Sequence, residues 1–378
     1  MKKCVVVSDS FKGTVSSREI CEIAQRVIPR HFPACAVVCI PVADGGEGTV
    51  DCFIQAMGAQ RVGVTVTNAL GEKSAAAYAR LGELAIIEMA AAAGLPQVGA
   101  LRCPGTATTY GVGELIAHAV HSGCKRILLG LGGSATNDGG CGCAAALGVG
   151  FLDADGQSFV PVGDTLGRIA RIDIVKAEAL LRGVKLTVMC DVTNPLYGPT
   201  GAAYVFAPQK GADAEKVKSL DAGLRHFGDV IRSQLGIDVR RMPGAGAAGG
   251  MGAGCVALLG GMIQSGIDAV LDVTGFDRQL EGADLVITGE GRIDSQSADG
   301  KVVSGVARRT RAKGVPLIAI AGGIADSAGA VYDIGVSAMF STDRAALPVD
   351  MLGARSPGDY EATLNDIMSL IAIAERFA

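Results

Sequence analysis

Seven acidic residues, Asp9, Asp44, Glu47, Asp138, Asp191, Glu290 and Asp294, each lie within a few residues of a predicted strand end and beside Gly or Ser. The same loops carry the cations Lys12, Lys210, Arg292 and Lys301. One loop acid alone is ordinarily a solvated surface residue. Seven in the same kind of position, with cations among them, match what phosphoryl transfer from a metal-bound nucleotide needs. That reaction uses carboxylates to hold the metal, one base for the acceptor hydroxyl, and positive charge for the migrating phosphate.

The 54 glycines are about twice the usual share and they cluster. GLGGSATNDGG (130–140) follows an apolar run and precedes the helix-like Cys141 to Leu147. Backbone N–H groups can approach an anion where Gly132 and Gly133 lack side chains, and a following helix start adds partial positive charge. Two other readings stay open: a tight strand-to-helix turn without ligand, and the looser dinucleotide fingerprint G-x-G-x-x-A with Asp153 and Asp155 downstream. The second of these fits poorly, because DADG (153–156) reads as a hairpin turn, and a hydride-transfer enzyme would lack a credible catalytic residue among the four histidines. A non-catalytic sensor of small hydroxy acids would need a signalling appendage that the chain does not show. No G-x-x-x-x-G-K-[ST] loop occurs. PGAGAAGGMGAG (243–254) reads equally as an anion loop, a hinge or a site of close helix packing.

These loops must be placed by regular elements, and the sequence repeats one unit: a short Val/Ile/Leu run, a Gly/Asp loop, then a segment of helical period. It recurs from Lys3 to Val7, Ala36 to Val42, Arg126 to Leu129, Leu285 to Thr288 and Leu317 to Ala321. Ser16 and Glu19 have capping-box spacing and predict a helix from there to about Arg30. Strands of this kind are buried on both faces, so the class is α/β with parallel sheet, and its ligands bind at the carboxyl ends of strands. Residues 63–73 alternate and end in a turn, which predicts a hairpin or a crossing between domains. The length fits two domains, with 69–282 inserted into a unit built from 1–68 and 283–378.

Charge is near balance, 34 basic against 38 acidic residues, with no basic stripe for nucleic acid. Every apolar run breaks before the length of a membrane span, and the N-terminal apolar run is too short for a signal peptide, so a cytoplasmic location is expected. Eleven cysteines without paired CxxC spacing suit reduced thiols. Cys141 and Cys143 read as small-residue packing, and His118 and His121 as a helix surface. The apolar excess fits either a homo-oligomer interface or one large core.

PVADGGEGTVD, GLGGSATNDGG, CDVTNPLYGPTGAAYVFAPQKGA, PGAGAAGGMGAG and DLVITGEGRIDSQSADGKV resemble the bacterial glycerate kinase family, as does the D-S-F-K of residues 9–12. The likeness runs in order from Asp9 to about Gly323 and is loose beyond about Ala328. It implies ATP-dependent phosphorylation of D-glycerate, usually to 2-phosphoglycerate, with Mg²⁺, in an interdomain cleft. It also implies a Rossmann- or flavodoxin-like unit carrying a large inserted α/β domain. On that resemblance Asp191, at the end of the run LTVMC, is expected as the general base, with metal ligand or turn cap as alternatives. Lys12 and Arg292 are expected on the γ-phosphate or the substrate carboxylate, and Asp44 and Lys210 on the substrate. Glu290 and Asp294 are the expected metal ligands, and Gly132, Gly133, Ser134, Gly289 and Gly291 the lining of the phosphates.

Overall fold

The computed structural model describes residues 1–11, 14–40, 42, 48–298, 301–345 and 355–377, the side chains of Gln55 and Ala56 excepted. Its strands are β1 (Lys3–Ser8), β2 (Ala36–Cys39), β3 (Gln60–Thr67), β4 (Lys73–Leu81), β5 (Leu84–Glu88), β6 (Arg126–Gly130) and β7 (Gly150–Leu152). Then come β8 (Arg171–Asp173), β9 (Lys185–Met189), β10 (Met262–Gln264), β11 (Leu285–Ile293), β12 (Leu317–Ile324) and β13 (Ala338–Ser341). The chain divides into two compact units, residues 1–43 with 267–378, and residues 44–266. Both divisions differ from the expected boundaries at 68/69 and 282/283. β3 pairs with β4 and so belongs to the second unit, while Ile267 and Leu271 pack in one core with Val303 and Val306 and draw 267–282 into the first.

The first unit holds a five-stranded, wholly parallel sheet in the order β13-β12-β11-β1-β2. Counted within the unit this is the order 2-1-3-4-5 of flavodoxin-like folds, whose ligands sit where the order reverses, between the first and third strands. Here those are β1 and β11. Alternate residues of β1 feed two cores: Val5 and Val7 face the helices Gly266–Thr274 and Val302–Lys313, and Cys4 and Val6 face Ser17–His31 and Ser356–Ala374. Burial of both faces explains why β1 reads as an unbroken apolar run. Helix Ser17–His31 starts at the expected capping box, Ser16 with Glu19. β11 continues past the expected end at Thr288 to Ile293, so Gly289, Glu290, Gly291 and Arg292 are strand residues paired along β12.

The second unit is built on a six-stranded sheet, β10-β9-β6-β5-β4-β3. Of its four parallel strands, β5 is buried at every position, β6 and β9 are largely buried, and β10 is the more exposed edge. β3 and β4 form the expected hairpin and alternate as a half-covered edge should. Helix Tyr110–His121 lies close to β3 at Gly111, where a Cβ would stand 1.9 Å from Thr67 O, and close to helix Cys141–Ala146 at Gly113, where a Cβ would stand 2.2 Å from Cys143 O. β7 and β8 make a separate antiparallel pair. Among the described residues no helix is long and apolar enough to cross a membrane.

Candidate active site

In the second unit the loop after β6 is held at three points. Leu95 N–H donates to Gly133 O at 2.9 Å, Ala135 N–H to Ala93 O at 2.9 Å, and Gly139 N–H to Gly249 O at 3.0 Å. Gly133 has φ +73° and is exposed, with Gly132 half-buried beside it. Among the described residues no carbonyl or side chain accepts the N–H of either glycine. A turn with two successive unengaged N–H groups can cradle an anion.

The helix start that follows, Cys141–Ala146, is not open to a ligand. Asp138 is fully buried and its carboxylate already sits there, accepting from Gly140 N–H at 3.1 Å and Gly142 N–H at 3.2 Å. The same carboxylate accepts the N–H and the hydroxyl of Thr109, each at 2.8 Å, and so ties the start of helix Tyr110–His121 as well. Burial pushes this carboxyl up, and the bonds from Thr109, Gly140 and Gly142 pull it back toward the ionised form. Asp138 is therefore an internal brace, not the exposed strand-end acid that its position suggested. Thr109 is the partner that the sequence did not reveal, a threonine before an apolar helix whose bonded acid lies 29 residues further on.

Lys210 departs further from expectation. It is 1% exposed, and its Nζ donates to Ser134 Oγ and Thr136 O, both at 2.7 Å. Burial drives the amine down to about 7, against the pull of the Asp138 charge. Ser134, expected to line phosphates, is itself buried and accepts this bond. Asn137 is fully buried, and neither end of its amide meets a protein partner.

Asp191 follows β9 and is exposed. Its Oδ1 accepts Gly266 N–H at 2.8 Å, at the first residue of helix Gly266–Thr274. The turn chemistry behind it packs against its own unit: Leu196 is buried, Asn194 Nδ2 donates to Thr200 O at 2.8 Å, and Gly198 N–H donates to Asp221 at 2.6 Å. PGAGAAGGMGAG packs backbone to backbone. A Cβ on Gly249 would stand 2.1 Å from Thr136 O, one on Gly246 2.2 Å from Pro195 O, and one on Gly254 2.2 Å from Gly139 O. Three consecutive left-handed residues, Ala248, Gly249 and Gly250, make that approach. Of the three readings of this motif, the geometry is that of close packing. The DADG segment closes a hairpin, with Gly156 N–H on Asp153 O at 3.0 Å and Asp153 paired to Arg168, which leaves the dinucleotide reading without its ribose acid.

In the first unit the carboxyl ends of β1 and β11 gather acids at the reversal of strand order. Ser8 lies beside Gly289, and Asp9 N–H donates to Gly289 O at 2.9 Å. A Cβ on Gly289 would stand 2.1 Å from Ile320 O and 3.0 Å from Ser8 Oγ, so this glycine serves strand packing. On the neighbouring strand a Cβ on Gly322 would stand 2.5 Å from Gly291 O, and both Gly289 and Gly291 lie in β11, not in a phosphate-lining turn. Glu290 is 7% exposed and accepts the hydroxyl of Ser297, which is fully buried and itself accepts Asp294 N–H at 3.1 Å. Burial pushes the Glu290 carboxyl up. Ser297 and Lys301 pull it down, and the neighbouring charges of Asp9 and Asp294 add to the rise. Ser297 lay within a recognised motif but gave no signal of its own. Arg292 is an exposed residue of β11. Lys12, Asp44 and Glu47 lie outside the described residues.

Among the described residues no three His, Cys, Asp or Glu side chains gather to cage a metal ion. Mg²⁺ rarely asks for such a cage, since it keeps several waters and takes one or two carboxylates plus phosphate oxygens. Glu290 and Asp294 are an all-oxygen donor set of that kind, and no described donor engages the second oxygen of Glu290.

Comparison with known proteins places the chain in a family. The sequence model described as "Glycerate kinase family" matches residues 4–372. A glycerate kinase of Bacillus cereus is 44% identical over 375 residues, 98% of each chain. A glycerate 2-kinase of Escherichia coli is 45% identical over 343 residues, 90% of each. A crystal structure from Salmonella typhimurium, described as that of a proposed glycerate kinase 2, superposes with a TM-score of 0.87 at 39% identity, covering 99% of both chains. A shared fold with identity at this level along nearly the full length leaves one assignment: the chain belongs to the glycerate kinase family and is a kinase.

Proposed function

We propose that the chain is a cytoplasmic small-molecule kinase that transfers the γ-phosphate of ATP to the 2-hydroxyl of D-glycerate. The observation that carries this reading is the set of carboxylates Asp9, Glu290 and Asp294 at the β1/β11 reversal of a flavodoxin-like sheet. Acids placed there, with Lys301 beside them, suit a metal-bound polyphosphate. The names of the relatives support glycerate as acceptor.

Within this reading Glu290 and Asp294 would hold Mg²⁺, which supplies neutralisation of charge on the phosphate oxygens. Ser297 fixes the Glu290 carboxylate so that one oxygen stays turned away from the hydrogen bond. The N–H groups of Gly132 and Gly133 receive phosphate oxygens. Asp191 accepts the proton of the acceptor hydroxyl while Gly266 N–H holds its other flank. Placement within hydrogen-bond reach suffices for that step, because phosphoryl transfer depends mainly on positioning and electrostatic stabilisation. Lys12, Arg292 and Asp44 complete the reading as partners of the γ-phosphate and of the substrate.

The test is ³¹P NMR of the full chain with MgATP and D-glycerate, against controls with L-glycerate and with no acceptor. The expected result is ADP with a matching phosphomonoester whose resonance couples to a single adjacent proton, as in 2-phosphoglycerate. Coupling to two adjacent protons would move the transfer to the 3-hydroxyl. Intact ATP with both glycerates would overturn the acceptor.

A further inference from the structure

We infer that Lys210 is a positioning residue that clamps the Gly132–Ser134 turn and thereby sets affinity for the phosphate-bearing cosubstrate without touching it. This rests on the reading that the turn cradles phosphate.

The backbone of Lys210 is fixed before its side chain enters the core. Its N–H donates to Ala207 O at 3.0 Å, and Arg102 grips the preceding residue through Gln209 O at 3.1 Å. The next residue, Gly211, has φ +97°, and a Cβ there would stand 2.7 Å from Arg102 O. From this anchor the side chain runs inward until its nitrogen meets Ser134 Oγ and Thr136 O. Those two atoms lie on either side of Ala135, whose N–H holds the loop to Ala93. The turn is thus pinned on one side by backbone bonds to 93–95 and on the other by a single amine. Between the pins lie Gly132 and Gly133, whose N–H groups meet no acceptor among the described residues.

A buried amine in such a place costs desolvation, which a core built for packing alone would avoid with a methionine. Its two acceptors match the two N–H bonds of a neutral amine, so the clamp holds with or without the charge. A substrate contact would need the nitrogen at the surface, and the structure puts it under Ser134.

The experiment compares Lys210→Met, Ser134→Ala and Gly133→Val with wild type, each checked by near-UV circular dichroism. Calorimetry reads the affinity for a non-hydrolysable ATP analogue, and steady-state kinetics reads KM for D-glycerate. The clamp predicts that Lys210→Met weakens the analogue at least tenfold while KM for glycerate stays within twofold. Ser134→Ala shifts the same quantity in the same direction and answers alone if Lys210→Met does not fold. Unchanged analogue affinity in a folded Lys210→Met, or in Ser134→Ala, overturns the inference. A rise in glycerate KM alone also overturns it and returns Lys210 to the substrate. If Gly133→Val keeps its affinity too, the fault lies in the phosphate reading of the turn. If only Gly133→Val loses it, the turn stands and the clamp falls.

Discussion

Replacing Lys210 by Met should remove a rise in stability with pH that the wild-type protein owes to this one amine. In the unfolded chain a lysine amine titrates near 10.4, whereas burial brings Lys210 down to about 7 in the folded state. Below that lower value both states carry the proton and the cost of burying it is fully expressed. Between the two values only the unfolded state binds the proton, so stability climbs with pH, by up to about 1.4 kcal/mol per unit. From pH 7 to 8.5 the gain comes to about 1.5 kcal/mol, since the folded amine is only half titrated at the start. Above that range the buried thiols Cys141, Cys143 and Cys255 work the other way. Burial raises them in the folded state, so the unfolded thiols ionise first and stability falls. Subtracting the Lys210→Met profile cancels the thiols and leaves the amine. Pulse proteolysis across a urea series, following fragments of residues 44–266, reads this unit separately from the other. A difference between wild type and variant that stays flat from pH 7 to 8.5 would mean that the folded amine keeps its proton there. The desolvation argument would then be refuted.

The remaining predictions touch packing and chemistry. Gly249→Ala forces a Cβ to within 2.1 Å of Thr136 O at φ +70° and should destabilise by more than about 3 kcal/mol. Gly156→Ala has φ +77° but open space and should cost only about 1 kcal/mol; equal losses in thermal unfolding would contradict the packing role of the first. Asp191→Asn should lower kcat by about 10²–10⁴-fold with ATP-analogue affinity retained, and wild-type turnover would remove Asp191 as base. Excess EDTA should abolish activity and added Mg²⁺ restore it, so full turnover in EDTA would contradict the metal reading of Glu290 and Asp294.

Where local rules decide, the sequence was legible: the capping box at Ser16, β1 and β6 as buried parallel strands, LTVMC as a strand leading to Asp191, and residues 63–73 as either a hairpin or a crossing, of which the hairpin is the one formed. Domain boundaries were not, because alternation in β3 predicts a strand without saying which sheet it borders, and Gly266–Thr274 shows an apolar face without showing its partner. The glycines mislead in one consistent way. Gly289 and Gly249 look like anion loops in sequence, yet each lets one backbone approach another. Gly132 and Gly133, in the same kind of run, keep N–H groups that meet no acceptor among the described residues.

The charged residues divide by depth, and depth is not written in residue type. Asp138 and Lys210 have the composition of catalytic groups, but both lie beneath the turn that follows β6 and are spent on Thr109, Gly140, Gly142, Ser134 and Thr136. Asp191 has the same strand-end address and remains exposed. A loop made largely of glycine would collapse or wander without internal polar braces, since it has no side chains to pack. Two buried polar side chains under one turn give it a fixed shape while the N–H groups of Gly132 and Gly133 stay unengaged among the described residues. The motif is therefore long because it encodes both layers, an outer one at Gly132 and Gly133 and a buried one of Ser, Thr and Asp, with the lysine supplied from seventy-six residues beyond Ser134.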